Sequence, residues 1–199
     1  MEFKMRLLKN VRHKVFLSLV VALTMTVSGN TQENSLSDAY NLLKAVKTKD
    51  YGKLQNYLKK GANVNTRDYA DGETPLYIAS TLKDSVMVTL LLNDNAKTEI
   101  AKKSTGETPL MVAVRLKAHK IAELLISQNA DVNAADRNGE TSLYKAVRAN
   151  DRESVKILLA ANADWSMADN TGRTPLDLAR ENRRLRTMER MLEDAGAEY

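Results

Sequence analysis

One pentapeptide returns four times at almost constant spacing, and that return restricts the fold more than any other property of the chain. Gly72-Glu73-Thr74-Pro75-Leu76, Gly106-Glu107-Thr108-Pro109-Leu110, Gly139-Glu140-Thr141-Ser142-Leu143 and Gly172-Arg173-Thr174-Pro175-Leu176 place their threonines 34, 33 and 33 residues apart. All three prolines of the protein occupy this one position, with Ser142 as the exception. A second landmark keeps the same period: Gly61-Ala62-Asn63-Val64-Asn65, Asn95-Ala96-Lys97, Asn129-Ala130-Asp131-Val132-Asn133, Asn162-Ala163-Asp164 and Gly196-Ala197. Two landmarks in register at a period of 20–50 residues mark a stacked-repeat architecture in which each unit contacts its neighbours.

The chemistry of the unit predicts its local structure. Threonine accepts a backbone N–H as a helix N-cap, and proline at the next position fixes φ near −65° where its missing N–H costs nothing. Thr-Pro-Leu therefore starts a helix. Apolar residues follow at helical spacing, as in Leu76, Ile78 and Ala79 for a first short helix and Val86, Val88 and Leu90 to Leu92 for a second. Ala79, Ala113, Ala146 and Ala179 fall at the same step of the first helix, where a thin side chain lets neighbours approach. The Gly or Asn before each Ala of the second landmark ends the second helix in a left-handed cap. The Asx- and Gly-rich connections, such as Asp131 to Gly139, read as turns or hairpins, the first two one residue longer than the third.

These motifs resemble the ankyrin repeat family, whose pattern stands almost literally in residues 130–163. The resemblance implies an all-α solenoid of paired antiparallel helices with projecting hairpin loops. It divides residues 30–199 into about five units, 34–62, 63–96, 97–130, 131–163 and 164–199, with the outer two as caps. Two family features are replaced. The usual glycine between the helices is Lys83, Lys117, Asn150 and Arg183, and the usual histidine after Thr-Pro-Leu is Tyr77, Met111, Tyr144 and Asp177.

Ahead of the array, Lys4, Arg6, Lys9, Arg12 and Lys14 against Glu2 give the first 30 residues a charge of +4 out of the chain's +5. The remainder is nearly neutral, so the sequence pI near 9.3 reflects the N-terminus and does not argue for a polyanionic partner. Val15 to Val27 is uncharged and ends at Ser28-Gly29-Asn30. As a helix it reaches only ~20 Å, short of a bilayer core. A basic start, a short apolar run and small residues predict a signal peptide over 1–29 and an exported protein, periplasmic or secreted, that meets the membrane only in transit.

Catalytic and cofactor readings find little support. Cysteine is absent, which excludes disulfides and thiolate chemistry. After the predicted signal only His119 remains as histidine, and its position predicts a solvated surface residue rather than a ligand. Glu73, Glu107 and Glu140 predict an acidic ladder, but equivalent residues of stacked units lie about 10 Å apart, too far to share an ion with bonds of ~2–2.6 Å. Arg180 to Arg186 is interleaved with Asp177, Glu181, Glu189, Glu193 and Asp194, the pattern of a salt-bridged capping face and not of a nucleic-acid site. Trp165 replaces Val64 and Val132 and reads as packing between units.

The expectation is therefore a monomer with no enzymatic activity and no cofactor, metal or nucleic acid. The resemblance implies a protein partner, bound and modulated or protected by the array; an inhibitor or immunity-type protein blocking a secreted enzyme is the alternative. Carried over by position, the hairpin tips are Tyr69, Asp71 and Glu73, then Lys103, Thr105 and Glu107, then Arg137, Asn138 and Glu140, then Asn170, Thr171 and Arg173. The first helices add Thr81, Leu82, Arg115, Leu116, Arg148, Ala149, Glu181 and Asn182.

Overall fold

The structure, a computed structural model, describes residues 37–196. The predicted signal peptide lies outside them. The described chain is all-α: ten α-helices in five antiparallel pairs, one short 3-10 turn and a single isolated bridge, Ala135 to Thr141. The inner layer holds α1 (37–47), α3 (Pro75–Thr81), α5 (Pro109–Arg115), α7 (Ser142–Arg148) and α9 (Pro175–Glu181). The outer layer holds α2 (Tyr51–Lys59), α4 (Ser85–Asn93), α6 (His119–Ser127), α8 (Arg152–Ala160) and α10 (Arg186–Asp194). Each inner helix from α3 onward packs on the next, and each outer helix from α4 onward does likewise. No described helix is long and apolar enough to cross a membrane.

The inner helices α3, α5, α7 and α9 have seven residues each, well below the ~12–15 at which an isolated helix holds in water, so packing and caps sustain them. Thr74, Thr108, Thr141 and Thr174 cap them by accepting the N–H of Tyr77, Met111, Tyr144 and Asp177. Asp177 returns the bond to the Thr174 N–H and completes a capping box. The recurring alanines are buried, and their carbonyls close the inner helices: Ala79 accepts from Asp84 N–H at 3.1 Å, Ala113 from Ala118 at 2.8 Å and Ala146 from Asp151 at 3.0 Å. That closure puts Lys49, Lys83, Lys117 and Asn150 at φ of 55°, 54°, 55° and 49°, where a side chain costs roughly 1–2 kcal/mol. The last unit departs: Asn182 is extended and Arg183 opens the 3-10 turn Arg183–Leu185.

One continuous core runs the length of the stack, through Leu42, Leu54, Leu76, Leu91, Leu110, Leu125, Leu143, Leu158, Leu176 and Leu192. Trp165 packs against it, as its place in the unit predicts. Outside the core, the asparagine that closes Asn63-Val64-Asn65 and Asp131-Val132-Asn133 reaches forward one unit: Asn65 Oδ1 accepts Lys97 N–H at 2.8 Å, and Asn133 Oδ1 accepts Asp164 N–H at 2.7 Å. Glu99 replaces that asparagine in the middle unit and accepts Asp131 N–H at 2.9 Å.

Candidate protein-binding face

The hairpins form a ladder of their own. Asp68, Asp136 and Asp169 each bend a hairpin by accepting two of its backbone N–H groups through one carboxylate oxygen. The hairpins close from Asp68 to Glu73 and from Lys102 to Glu107, then one residue sooner from Asp136 to Glu140 and from Asp169 to Arg173. Successive hairpins are linked by one backbone bond each: Lys103 N–H to Asp71 O at 3.2 Å, Arg137 N–H to Thr105 O at 3.0 Å and Asn170 N–H to Asn138 O at 2.9 Å. Side chains reinforce two of these rungs, the Arg137 guanidinium on Lys103 O and the Asn170 amide on Arg137 O.

Where hairpins meet inner helices, charges are organised around a buried lysine. Lys145 is 4% exposed, and its ammonium lies 2.6 Å from Asp136, 2.9 Å from Glu140 and 3.6 Å from Glu107. Burial alone would lower its pKa, but the bonds to Asp136 and Glu140 overcome that and raise it. Glu107 is shared with Arg115 at 3.0 Å and with the Tyr77 hydroxyl at 3.2 Å; Glu140 is shared with Arg148. Tyr144 makes the equivalent reach to Asp169, at 2.8 Å. The tyrosines at the family's histidine position thus build an inter-unit network of their own. Burial, followed by their carboxylate partners, pushes both phenols up to about 12.

This geometry corrects part of the tip assignment. Glu107 and Glu140, expected at exposed tips and on an acidic ladder, are 8% and 7% exposed and hold Lys145 and the two arginines. Glu73 is half-buried on Lys102, at 2.9 Å. Leu82, Leu116 and Ala149 are half-buried helix caps rather than free surface. Exposed side chains remain at Tyr69, Asp71, Lys103, Thr105, Arg137, Asn138, Asn170, Thr171 and Arg173 on the hairpins, and at Thr81, Arg115, Arg148, Glu181 and Asn182 on the inner helices. Arg115 and Arg148 occupy the same step of adjacent units, with side chains 43% and 48% exposed and one end fixed by a buried glutamate.

His119 is likewise not simply solvated. It opens α6, directly beside the N-cap of α8, and its Nε2 lies 2.9 Å from Asp151 Oδ2. Ser154 Oγ donates to that same oxygen at 2.7 Å. The serine is buried and bonded to the aspartate, not to the imidazole, so the trio holds no nucleophile–base pair. It is a joint between outer helices, as is the Tyr51 hydroxyl on Asp84 at 2.7 Å. The described residues hold no group of three or more histidine, aspartate or glutamate side chains that suits a metal ion. At the C-terminal end, Arg180 pairs with Glu193 at 3.1 Å, as the interleaved charges predict.

Sequence reasoning missed Lys145, although one signal marked it. The equivalent positions are Ile78, Val112 and Leu178, so a lysine there is placed in an apolar environment and needs carboxylate partners.

Comparison with known proteins agrees with the architecture. Residues 42–136 match the family described as Ankyrin repeats (3 copies), and residues 124–179 match Ankyrin repeats (many copies). Among curated proteins, a human 2-5A-dependent ribonuclease is 34% identical over 77 residues. That match covers 39% of this chain and only 10% of the ribonuclease.

Proposed function

We propose that this chain, which belongs to the ankyrin repeat proteins, acts as an exported, stoichiometric protein-binding module that modulates or protects its partner. The observation that carries the binding reading is the pair Arg115 and Arg148. Each presents about half of its side chain on the side where inner helices meet hairpins, and each is held by a buried glutamate instead of being free to rotate. A pre-positioned arginine loses little conformational entropy on binding, and arginine is among the residues that dominate protein interfaces. Export is supported by the basic start and the apolar run of Val15 to Val27, and by the near-neutral balance of the residues that follow.

Affinity capture with the full chain, expressed in its own cell, tests the binding reading. Wild-type chain should retain a specific protein from the envelope or medium, and the double variant Arg115→Glu, Arg148→Glu should lose it. Recovery of the same proteins by both would discard this face. Mass measurement of the exported form belongs to the same experiment: a chain lacking about 29 residues is expected, and an intact N-terminus contradicts a cleaved signal.

A further inference from the structure

Among the described residues, the first hairpin has an edge without a backbone partner, and a groove lies beneath it. Each later hairpin donates one backbone N–H to the hairpin before it, from Lys103, Arg137 and Asn170. The residue at that step of the first hairpin is Tyr69, and no described residue accepts from its N–H. By the period of the array, the acceptor would be supplied near residue 37, where the other units have an extended hairpin. Here residues 37–40 are already helical, so α1 continues into the space that a hairpin fills elsewhere. The result is a groove of about 410 Å³ between α1 and the first hairpin, lined by Tyr40, Leu43, Lys44, Lys47, Arg67 and Tyr69 among others.

Two features of the groove state what it accepts. Tyr40 and Tyr69 stand 61% and 98% exposed beside the otherwise buried Leu43, an apolar and aromatic floor and wall of the kind that anchors a peptide. Among the described lining residues, three cations face a single carboxylate, Asp68. Lys47 is engaged with Asp68 at 2.9 Å, and Arg67 is turned onto the carbonyls of Gly72 and Ala101. Lys44 is exposed, with no ammonium partner among the described residues, and leaves the groove with a surplus of positive charge.

We propose that this groove receives an extended, acidic peptide segment of a partner protein, which adds one rung ahead of the first hairpin. A carbonyl of the segment takes the Tyr69 N–H, an apolar side chain enters between the two tyrosines, and an acidic one meets Lys44. This is strand addition to an open edge. It rests on the protein-binding reading and names a second contact surface for it, distinct from Arg115 and Arg148. The last hairpin of a second copy is a poorer occupant, because Arg173, Arg183, Arg184 and Arg186 would bring cations to cations.

The probe is a labelled peptide, acetyl-Glu-Val-Glu-Phe-Glu-Val-Glu-Val-amide, titrated into the full chain, with its Lys-for-Glu counterpart as control. The acidic peptide should bind saturably, slow hydrogen exchange at the Tyr69 amide, and bind at least tenfold more weakly to Lys44→Glu and to Tyr40→Ser. Equal binding of the lysine peptide, or absence of saturable binding, overturns the proposal. So does a Tyr69 amide already protected in the free monomer, which means that the chain's own N-terminal segment covers the edge. Concentration-dependent self-association abolished by Lys44→Glu overturns it too, in favour of a second copy. Cellular capture that survives Lys44→Glu and Tyr40→Ser but fails for the arginine variant removes this groove and leaves the protein-binding reading intact.

Discussion

Lys145 is the residue whose loss should cost most. Its ammonium neutralises Asp136 and Glu140 inside the stack, and removing one member of a buried ion cluster leaves uncompensated charge at about 3–5 kcal/mol. Lys145→Met should therefore lower the unfolding free energy read from urea denaturation by that amount at pH 7, whereas Lys44→Met on the surface should change it by less than about 0.5 kcal/mol. The pH profile of the wild type follows from the same network. Asp169 is held below the usual carboxylate range by the Thr171 hydroxyl and then by Tyr144, while Asp84 and Asp151, despite burial, are lowered by the bonds they accept. A lowered carboxylate contributes fully above its unfolded pKa of about 4 and loses that contribution as pH falls further. Raised phenols and a raised ammonium do the reverse, being fully stabilising below about pH 10 and losing it as pH climbs toward 12. Thermal midpoints should be flat between about pH 5 and 9 and fall on both sides; a bell centred on neutrality would contradict the assignment. At this scale the sequence was partly legible. Thr174 with Asp177 is a visible cap, but the burial of Glu107 and Glu140 depends on Lys145 arriving from another element, which local spacing does not show.

Helices and hairpins were the most legible layer, because their signals are local. Thr-Pro-Leu marks a helix start without reference to anything distant, and the Gly or Asn before Ala marks the end: Gly61, Asn95, Asn129, Asn162 and Gly196 all have positive φ. The last unit departs at Arg183, because Asn182 caps a 3-10 turn there, and nothing in a single residue type announces that choice. Contact between hairpins makes a sharper prediction. Gly139 has φ of 76°, and a Cβ added to it would lie 2.6 Å from Asn170 Oδ1 and 2.8 Å from Asn170 N, against the next hairpin. Gly172 has φ of 83° with nothing within 4 Å. Gly172→Ala should cost roughly 1–2 kcal/mol from backbone conformation alone. Gly139→Ala adds a collision with backbone and should cost more, with faster hydrogen exchange at Asn170. Equal costs would mean that the hairpins are not in contact.

Across the whole molecule, period and register announce a linear stack, and the structure bears that out with one core and a hairpin ladder. What the sequence could not order is the surface. A stack of similar units shows where side chains emerge only after neighbouring units have claimed theirs, and here the claims of Lys145 on the glutamates leave the arginines outermost. The inner-helix and hairpin side is the proposed binding side. A photoreactive phenylalanine analogue placed in the full chain at Thr81, exposed on the inner layer, or at Glu123, exposed on the outer layer, tests that directly in the native cell. Crosslinking from Thr81 to one protein, with none from Glu123, is the predicted result. Crosslinking from Glu123 alone, or from neither, would contradict it.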